Sequence, residues 1–412
     1  MGPGEIYSKW TSVSLVVRIV VGLVIGAVLA LLVPGITILS TLGSLFVGAL
    51  KAIAPFLVLL LVMSAIGCSG AGLGSRFKNV LVLYIGSTVV AAVVATFIFY
   101  SFPVSVVLPG DIPDAQPPLD MGMFANELLL NIVSNPLTAL AEGKYLSILF
   151  WAIIFGLVMK ATGTPKVKEL SMDISDLVTR VVRVIIEFAP IGIMGIVYET
   201  VSENGVGVFT DYGALILVLL VCMALVMFLT NPVIGGLLMR RNPYPLLFLC
   251  LRQSGIYAFF TRSSAANIPM NIALCERIGL DKNFYSVSIP LGATINMNGA
   301  AITITVLTLC TAYTIGMDVP MITAMVLCIL ATLAACGASG ISGGSLLLVP
   351  MACSFMGIPE ETAMMMVSVG FVIGVINDSV ETALNSSADV FYTTVSEVME
   401  DRRNGKESAY HF

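Results

Sequence analysis

Long apolar runs separated by short polar breaks dominate the chain. Runs of helix-spanning length lie near residues 12–33, 41–67, 79–101, 146–162, 177–200, 212–239, 283–315 and 361–395. A membrane-crossing helix needs about 20 such residues, so the pattern predicts several spans rather than one anchor. Two further stretches behave differently. Residues 243–280 carry a polar tip, TRSSAAN (261–267), between two short apolar pieces, and residues 320–357 carry GASGISGGS (337–345) in the same place. A half-helix of about 15 residues rises only about 22 Å, less than the roughly 30 Å hydrocarbon core. Each stretch therefore reads as a hairpin that enters the membrane and returns on the same side. Irregular backbone at membrane depth is tolerated only where protein buries it or a cavity solvates it, and paired broken segments point to a transporter's binding site.

Basic residues give the orientation. Arg76 and Lys78, Lys160, Lys166 and Lys168, Arg240 and Arg241, Arg277 and Lys282, and Arg402, Arg403 and Lys406 fall in alternate breaks. The loops at 103–122, 203–211 and 316–320 contain no Lys or Arg. Positive residues stay inside, so both termini are expected in the cytoplasm, with the first hairpin entering from inside and the second from outside.

Composition agrees. The 412 residues are 58% hydrophobic and 11% charged, against roughly 45–50% and 25% in soluble domains, and mean hydropathy is +0.99. The fold class is all-α and polytopic. A net charge of −5 gives no sign of a nucleic-acid partner. The eight cysteines are scattered through apolar runs without a CxxC, and the one histidine, His411, lies in the tail. These features leave no basis for a zinc site, a disulfide framework or histidine catalysis. With no HExxH and no nucleophile–base pair, an enzyme is not expected. The first apolar run is too long for a signal peptide. Arg18, Lys51, Arg180 and Arg183, in or near spans, are expected to snorkel or to pair with neighbours such as Glu187.

The chemistry concentrates in NDSVETALNSSAD (377–389). Asp378, Glu381, Thr382, Asn385 and Asp389 share one helical face, and each ionised carboxylate at mid-bilayer costs roughly 2.5–3.5 kcal/mol. Such a face can bind cations and a substrate ammonium. In NMNG (296–299), Asn296 and Asn298 with a destabilising Gly299 read as oxygen ligands for a hard cation such as sodium, or as interhelical hydrogen bonding. The serines of TRSSAANIP sit where half-helix N–H groups suit a carboxylate, or form a local turn. The glycines of GASGISGGS allow close approach and the mobility of a lid. Acidic faces also line cation channels, but a channel does not need serine-tipped paired hairpins.

In order and spacing, TRSSAANIP, NMNG, GASGISGGS and DSVETALNSSAD resemble the dicarboxylate/amino acid:cation symporter family, the glutamate transporters among them, across essentially the whole chain. The chain is most similar to the bacterial sodium:serine/threonine symporter branch. The resemblance implies eight transmembrane helices plus two re-entrant hairpins with inverted repeats. Scaffold helices would occupy 10–70 and 123–205, and a mobile transport domain 77–102 and 211–395, with a cytoplasmic tail at 396–412. It implies a homotrimer in the bacterial inner membrane, in contact with lipid, working as an elevator. It assigns Ser263, Ser264 and Asn385 to the substrate carboxylate, Asp378 to its ammonium, and the Ile341 backbone to the lid contact. Glu381 and Thr382 complete the substrate-binding set. Asn296, Asn385, Asp389 and the Gly292 carbonyl match a first sodium site, and the Thr294 carbonyl a second.

Two positions depart from the family pattern. Acidic-substrate members carry Arg where this chain has Glu381. A third sodium site in relatives uses Asp where this chain has Asn298, although Tyr84, Ser87 and Thr88 are retained. The expected cargo is serine and threonine with sodium, with no other cofactor. The alternative is a sodium- or proton-coupled dicarboxylate or acidic amino acid symporter.

Overall fold

In a computed structural model, the structure describes residues 13, 15–33, 35–68, 75–109, 133–142, 144–205, 207–336, 343–405 and 410. Among these, all regular structure is helical. Helix α1 spans Leu15–Leu32, α2 Thr37–Gly67 and α3 Ser75–Ser101. After a short α4, Pro136–Ala141, come α5, Tyr145–Thr162, α6, Pro165–Glu187, and α7, Ala189–Asn204. Helix α8, Val208–Leu225, runs through a π turn at Val226–Thr230 into α9, Asn231–Met239.

Among the described residues, four stretches are long and apolar enough to cross a membrane: Arg76–Ser101, Phe209–Met239, Lys282–Thr314 and Glu360–Arg403. The pair α6–α7, bent by 53°, makes a fifth if it counts as one span. The sequence read 177–200 as one run; the bend falls at Phe188, two residues before Pro190, which offers no N–H to continue the ladder.

Residues 244–278 form the first hairpin. One arm is α10, Tyr244–Cys250, a π turn, and α11, Ile256–Thr261; the other is α12, Ser264–Ile278. The tip turns at Arg262, whose φ of 51° ends α11 in the left-handed region. Ser263 then caps α12 by accepting from the Ala266 N–H at 3.2 Å. Gly279, with φ of 90°, closes the far end. The predicted span 283–315 is broken into α13, Lys282–Ile295, and α14, Asn298–Thr314. The second broken stretch contains α15, Met321–Ala335, and, after the tip, a 3-10 turn at Leu346–Leu348 leading into α16, Val349–Phe355. Residues 337–342, and Ile341 with them, lie outside the described residues, as do 110–122 of the predicted 103–122 loop. Helix α17, Glu360–Arg403, is unbroken.

The helix ends sort as the basic residues predict. Arg76 pairs with Asp281 at 3.2 Å and Asp401 at 3.0 Å, so the starts of α3 and α13 and the end of α17 meet at one end of the molecule. At the other end, the Val106 N–H donates to Thr314 Oγ1 at 3.2 Å and the Tyr212 hydroxyl to the Val107 carbonyl at 3.1 Å. The three segments without basic residues therefore converge. Helices α1 and α2 pack on α5, α6 and α7, whereas α3 packs on α14, α15 and α17. Arg18 reaches Glu187 at 2.8 Å, as expected for a basic residue within a span.

Candidate functional site

All five polar residues of the α17 face are buried: Asp378, Glu381, Thr382, Asn385 and Asp389 are each 5% exposed or less. A single unbroken helix presents them at successive turns, and three other elements close over them: the first hairpin, the α13–α14 break and the end of the second hairpin.

The lower cluster surrounds Asp389. The backbone leaves the helical region over Asn296 (φ −90°, ψ 75°) and Met297 (φ −115°, ψ 52°). This break turns Asn296 toward α17, where its Nδ2 donates to Asp389 Oδ1 at 2.9 Å and to the Asn385 carbonyl at 3.3 Å. Asp389 Oδ2 and Asn296 Oδ1 are buried and accept no hydrogen bond among the described residues. Two uncompensated oxygens, one of them on a carboxylate, suit a cation. Gly292 lies against them: a Cβ there would sit 2.8 Å from Asp389 Oδ1 and 2.9 Å from the Tyr84 hydroxyl. The Gly292 carbonyl accepts from the Asn296 N–H at 2.9 Å and keeps a second lone pair for a ligand. The predicted ligands Gly292, Asn296, Asn385 and Asp389 are thus brought together. Thr294 spends its hydroxyl on the Leu291 carbonyl at 2.8 Å. Among the described residues no group of three His, Cys, Asp or Glu side chains converges.

The sequence marked Gly299 as the weak point of this run. The chain instead leaves the helix at Asn296 and Met297, and Gly299 lies inside α14. Its bare Cα is needed for close helix contact, because a Cβ would fall 2.9 Å from Glu381 Cα, Cγ and carbonyl O. That approach lets the Gly299 N–H donate to Asn385 Oδ1 at 2.7 Å.

One turn up, Glu381 Oε2 accepts from the Thr303 hydroxyl at 2.6 Å and the Ser345 hydroxyl at 3.0 Å. Asn377 Nδ2 donates to Thr303 Oγ1 at 3.1 Å. Glu381 therefore ties α14 and the second hairpin to α17. Neither hydroxyl was assigned a role from sequence, although Ser345 closes the GASGISGGS motif.

The top of the face carries the main departure from expectation. Asp378 is assigned by resemblance to a substrate ammonium, but its Oδ2 accepts from Arg262 Nε at 2.8 Å in a buried ion pair. Arg262 stands beside the predicted Ser263 and Ser264, and the sequence reading gave it no role. The overlooked signal is a charge at the tip of a stretch expected at membrane depth, which is itself a functional-site marker. The pair lines a cavity of about 20 Å³ with Gly343, Ser345 and Asn377, walled on the other side by Ile19, Ile186 and Ala189. Thr382 donates its hydroxyl to the Asp378 carbonyl at 2.7 Å. Ser264 is buried, and Ser263 serves as the helix cap.

Beside the Asp389 cluster, Asn298 Oδ1 accepts from Ser87 Oγ at 3.1 Å and Thr88 Oγ1 at 2.9 Å, and Asn298 Nδ2 is buried without an acceptor.

Comparison with known proteins places the chain in context. The family model described as the sodium:dicarboxylate symporter family matches residues 15–399. A serine/threonine transporter SstT of Streptococcus thermophilus is 51% identical over 391 residues, covering 95% of this chain and 97% of the relative. A protein of the same name from Streptococcus agalactiae is 51% identical over 389 residues, 94% of this chain and 96% of its own length.

Proposed function

Because the chain belongs to the sodium:dicarboxylate symporter family, we infer that it imports serine and threonine by symport with sodium ions. The observation that carries the coupling is the pair of buried oxygens without hydrogen bonds, Asp389 Oδ2 and Asn296 Oδ1, at a break in a membrane-buried helix. A desolvated carboxylate is stabilised there when a cation joins it. The substrate class is supported by the names of the relatives and by Glu381. That carboxylate stands where acidic-substrate members carry a guanidinium. The guanidinium present, Arg262, is paired with Asp378, and a ligand without an ammonium would strand that buried carboxylate, which argues against a dicarboxylate carrier.

In this reading the substrate lies between the hairpin tips. Its carboxylate meets Ser263, Ser264 and Asn385, its ammonium meets Asp378, and its hydroxyl end faces Glu381 and Thr382, with the Ile341 backbone closing above. Sodium occupies the Gly292, Asn296, Asn385 and Asp389 oxygens, and the Thr294 carbonyl serves a second ion. The architecture is eight transmembrane helices and two re-entrant hairpins. The packing of α1 and α2 on α5–α7 supports a scaffold of 10–70 and 123–205. The separate packing of α3 with α14, α15 and α17 supports a moving unit of 77–102 and 211–395. An exposed apolar stripe on α6 at Val167, Leu170, Ile174, Leu177, Val181 and Val184 has heptad spacing, which supports burial by a neighbouring copy in a homotrimer. The chain would reside in the cytoplasmic membrane with both termini inside.

The test is labelled serine uptake into proteoliposomes with and without an inward sodium gradient, with competitors. Sodium-dependent uptake inhibited by threonine and not by aspartate is expected. Inhibition by aspartate at concentrations near those of threonine overturns the neutral-substrate assignment.

A further inference from the structure

The Arg262–Asp378 pair occupies the position assigned to the substrate ammonium, and it is built with some strain. Arg262 takes a left-handed backbone conformation, φ 51°, which is unfavourable for a side chain with a Cβ. That turn aims the guanidinium across the hairpin tip onto α17. Both partners are buried, and the cavity they line holds about one water molecule. An amino acid cannot enter it unless the two side chains part. Parting them singly is unfavourable, because a buried charge that loses its partner is strongly penalised.

A zwitterion removes that penalty. Its ammonium replaces the guanidinium on Asp378, and its carboxylate replaces Asp378 on the guanidinium. Arg262 is adjacent in sequence to Ser263 and Ser264, so the released guanidinium lies next to the first N–H groups of α12, where a carboxylate is already favoured. Asn377 lines the same cavity, and its Oδ1 is buried without a hydrogen-bond donor among the described residues. It can accept from the guanidinium as it moves.

Resting on the transport reading above, we propose that the substrate inserts into the Arg262–Asp378 ion pair, exchanging one internal salt bridge for two to the ligand. Arg262 is then a specificity-determining residue. Recognition requires ammonium and carboxylate together, because a ligand carrying only one of them leaves the other protein charge stranded. The same pair keeps both charges compensated when no amino acid is bound.

The test is displacement of labelled serine from the purified full-length protein in sodium, using two single-charge probes. One is 2-amino-1,3-propanediol, which keeps the ammonium and lacks the carboxylate. The other is 3-hydroxypropionate, which keeps the carboxylate and lacks the ammonium. Wild type should bind each at least roughly 100-fold more weakly than serine. In Arg262→Gln the aminodiol no longer displaces a guanidinium, so the serine-to-aminodiol affinity ratio should collapse by on the order of 30-fold or more. Arg262→Lys should keep a ratio close to that of wild type. Asp378→Asn is the reciprocal variant and reads out even if Arg262→Gln does not fold: here the serine-to-hydroxypropionate ratio should collapse. Serine binding in wild type with neither ratio moved in the variants overturns this proposal alone. No sodium-dependent serine binding in wild type overturns the transport reading and this proposal with it.

Discussion

Gly292→Ala separates the cation site from the stability of the fold. The new methyl would start 2.8 Å from Asp389 Oδ1 and 2.9 Å from the Tyr84 hydroxyl. Ordinary van der Waals contact begins at 3.4 Å, so the carboxylate must retreat by roughly 0.6 Å, because atoms in a packed interior cannot overlap. Asp389 Oδ1 is held by Asn296 Nδ2 at 2.9 Å, and the retreat lengthens or breaks that bond. A hydrogen bond to a charged group contributes about 1.5–3 kcal/mol. If that contribution orients the carboxylate for sodium, the half-saturating sodium concentration rises roughly 10- to 150-fold. The fold is affected less: replacing a glycine within α13 by alanine gains about 0.8–1 kcal/mol of helix propensity, against an overpacking cost of about 1–3 kcal/mol. The assay is serine uptake into proteoliposomes across a sodium series, beside thermal inactivation of the purified protein without sodium. Wild-type sodium activation in a well-folded Gly292→Ala protein would refute the placement of the cation at Asp389.

Thr303→Val keeps side-chain shape and removes the 2.6 Å bond to Glu381; it should lower stability by about 2 kcal/mol, and an unchanged thermal inactivation temperature would count against Glu381 as the tie between α14 and the second hairpin. Each transport cycle should move fewer than three sodium ions, because Asn298 carries no charge, its Oδ1 is already taken by Ser87 and Thr88, and its buried Nδ2 presents a donor. The reversal potential of uptake measures this count, and a value requiring three ions per serine is incompatible with it. Asn298→Asp should raise the apparent sodium affinity or the number of ions, since a carboxylate there attracts a cation that an amide does not.

Much of this site was legible in the sequence because its logic is local. The spacing of Asp378, Glu381, Thr382, Asn385 and Asp389 places them on one face wherever a helix forms, and the structure keeps that helix unbroken. The interruptions themselves were legible too: short helices flank Arg262 in one stretch and the 337–342 segment in the other, because neither stretch holds a long continuous apolar run. The 283–315 run read as one span with a weak point, and its division into two helices was not expected. Glycine at 299 suggested weak helix, whereas the chain breaks at Asn296 and uses Gly299 for close contact with Glu381, a requirement set by a residue 82 positions away. Arg262 was missed for a similar reason. Its partner lies 116 residues further on, and its left-handed backbone reflects tertiary demand rather than any turn signal in TRSSAAN. The hydroxyls of Thr303 and Ser345 are ordinary in sequence and acquire meaning only when three helices meet around Glu381.

If Asp389 holds the coupling ion of serine transport, its loss should alter sodium activation before substrate affinity. The most direct measurement is sodium activation of serine uptake by Asp389→Ala in proteoliposomes, compared with wild type at limiting and saturating sodium. A large rise in half-saturating sodium is expected, with a much smaller change in serine affinity once sodium saturates. Half-saturation at the wild-type sodium concentration would exclude Asp389 from the sodium site.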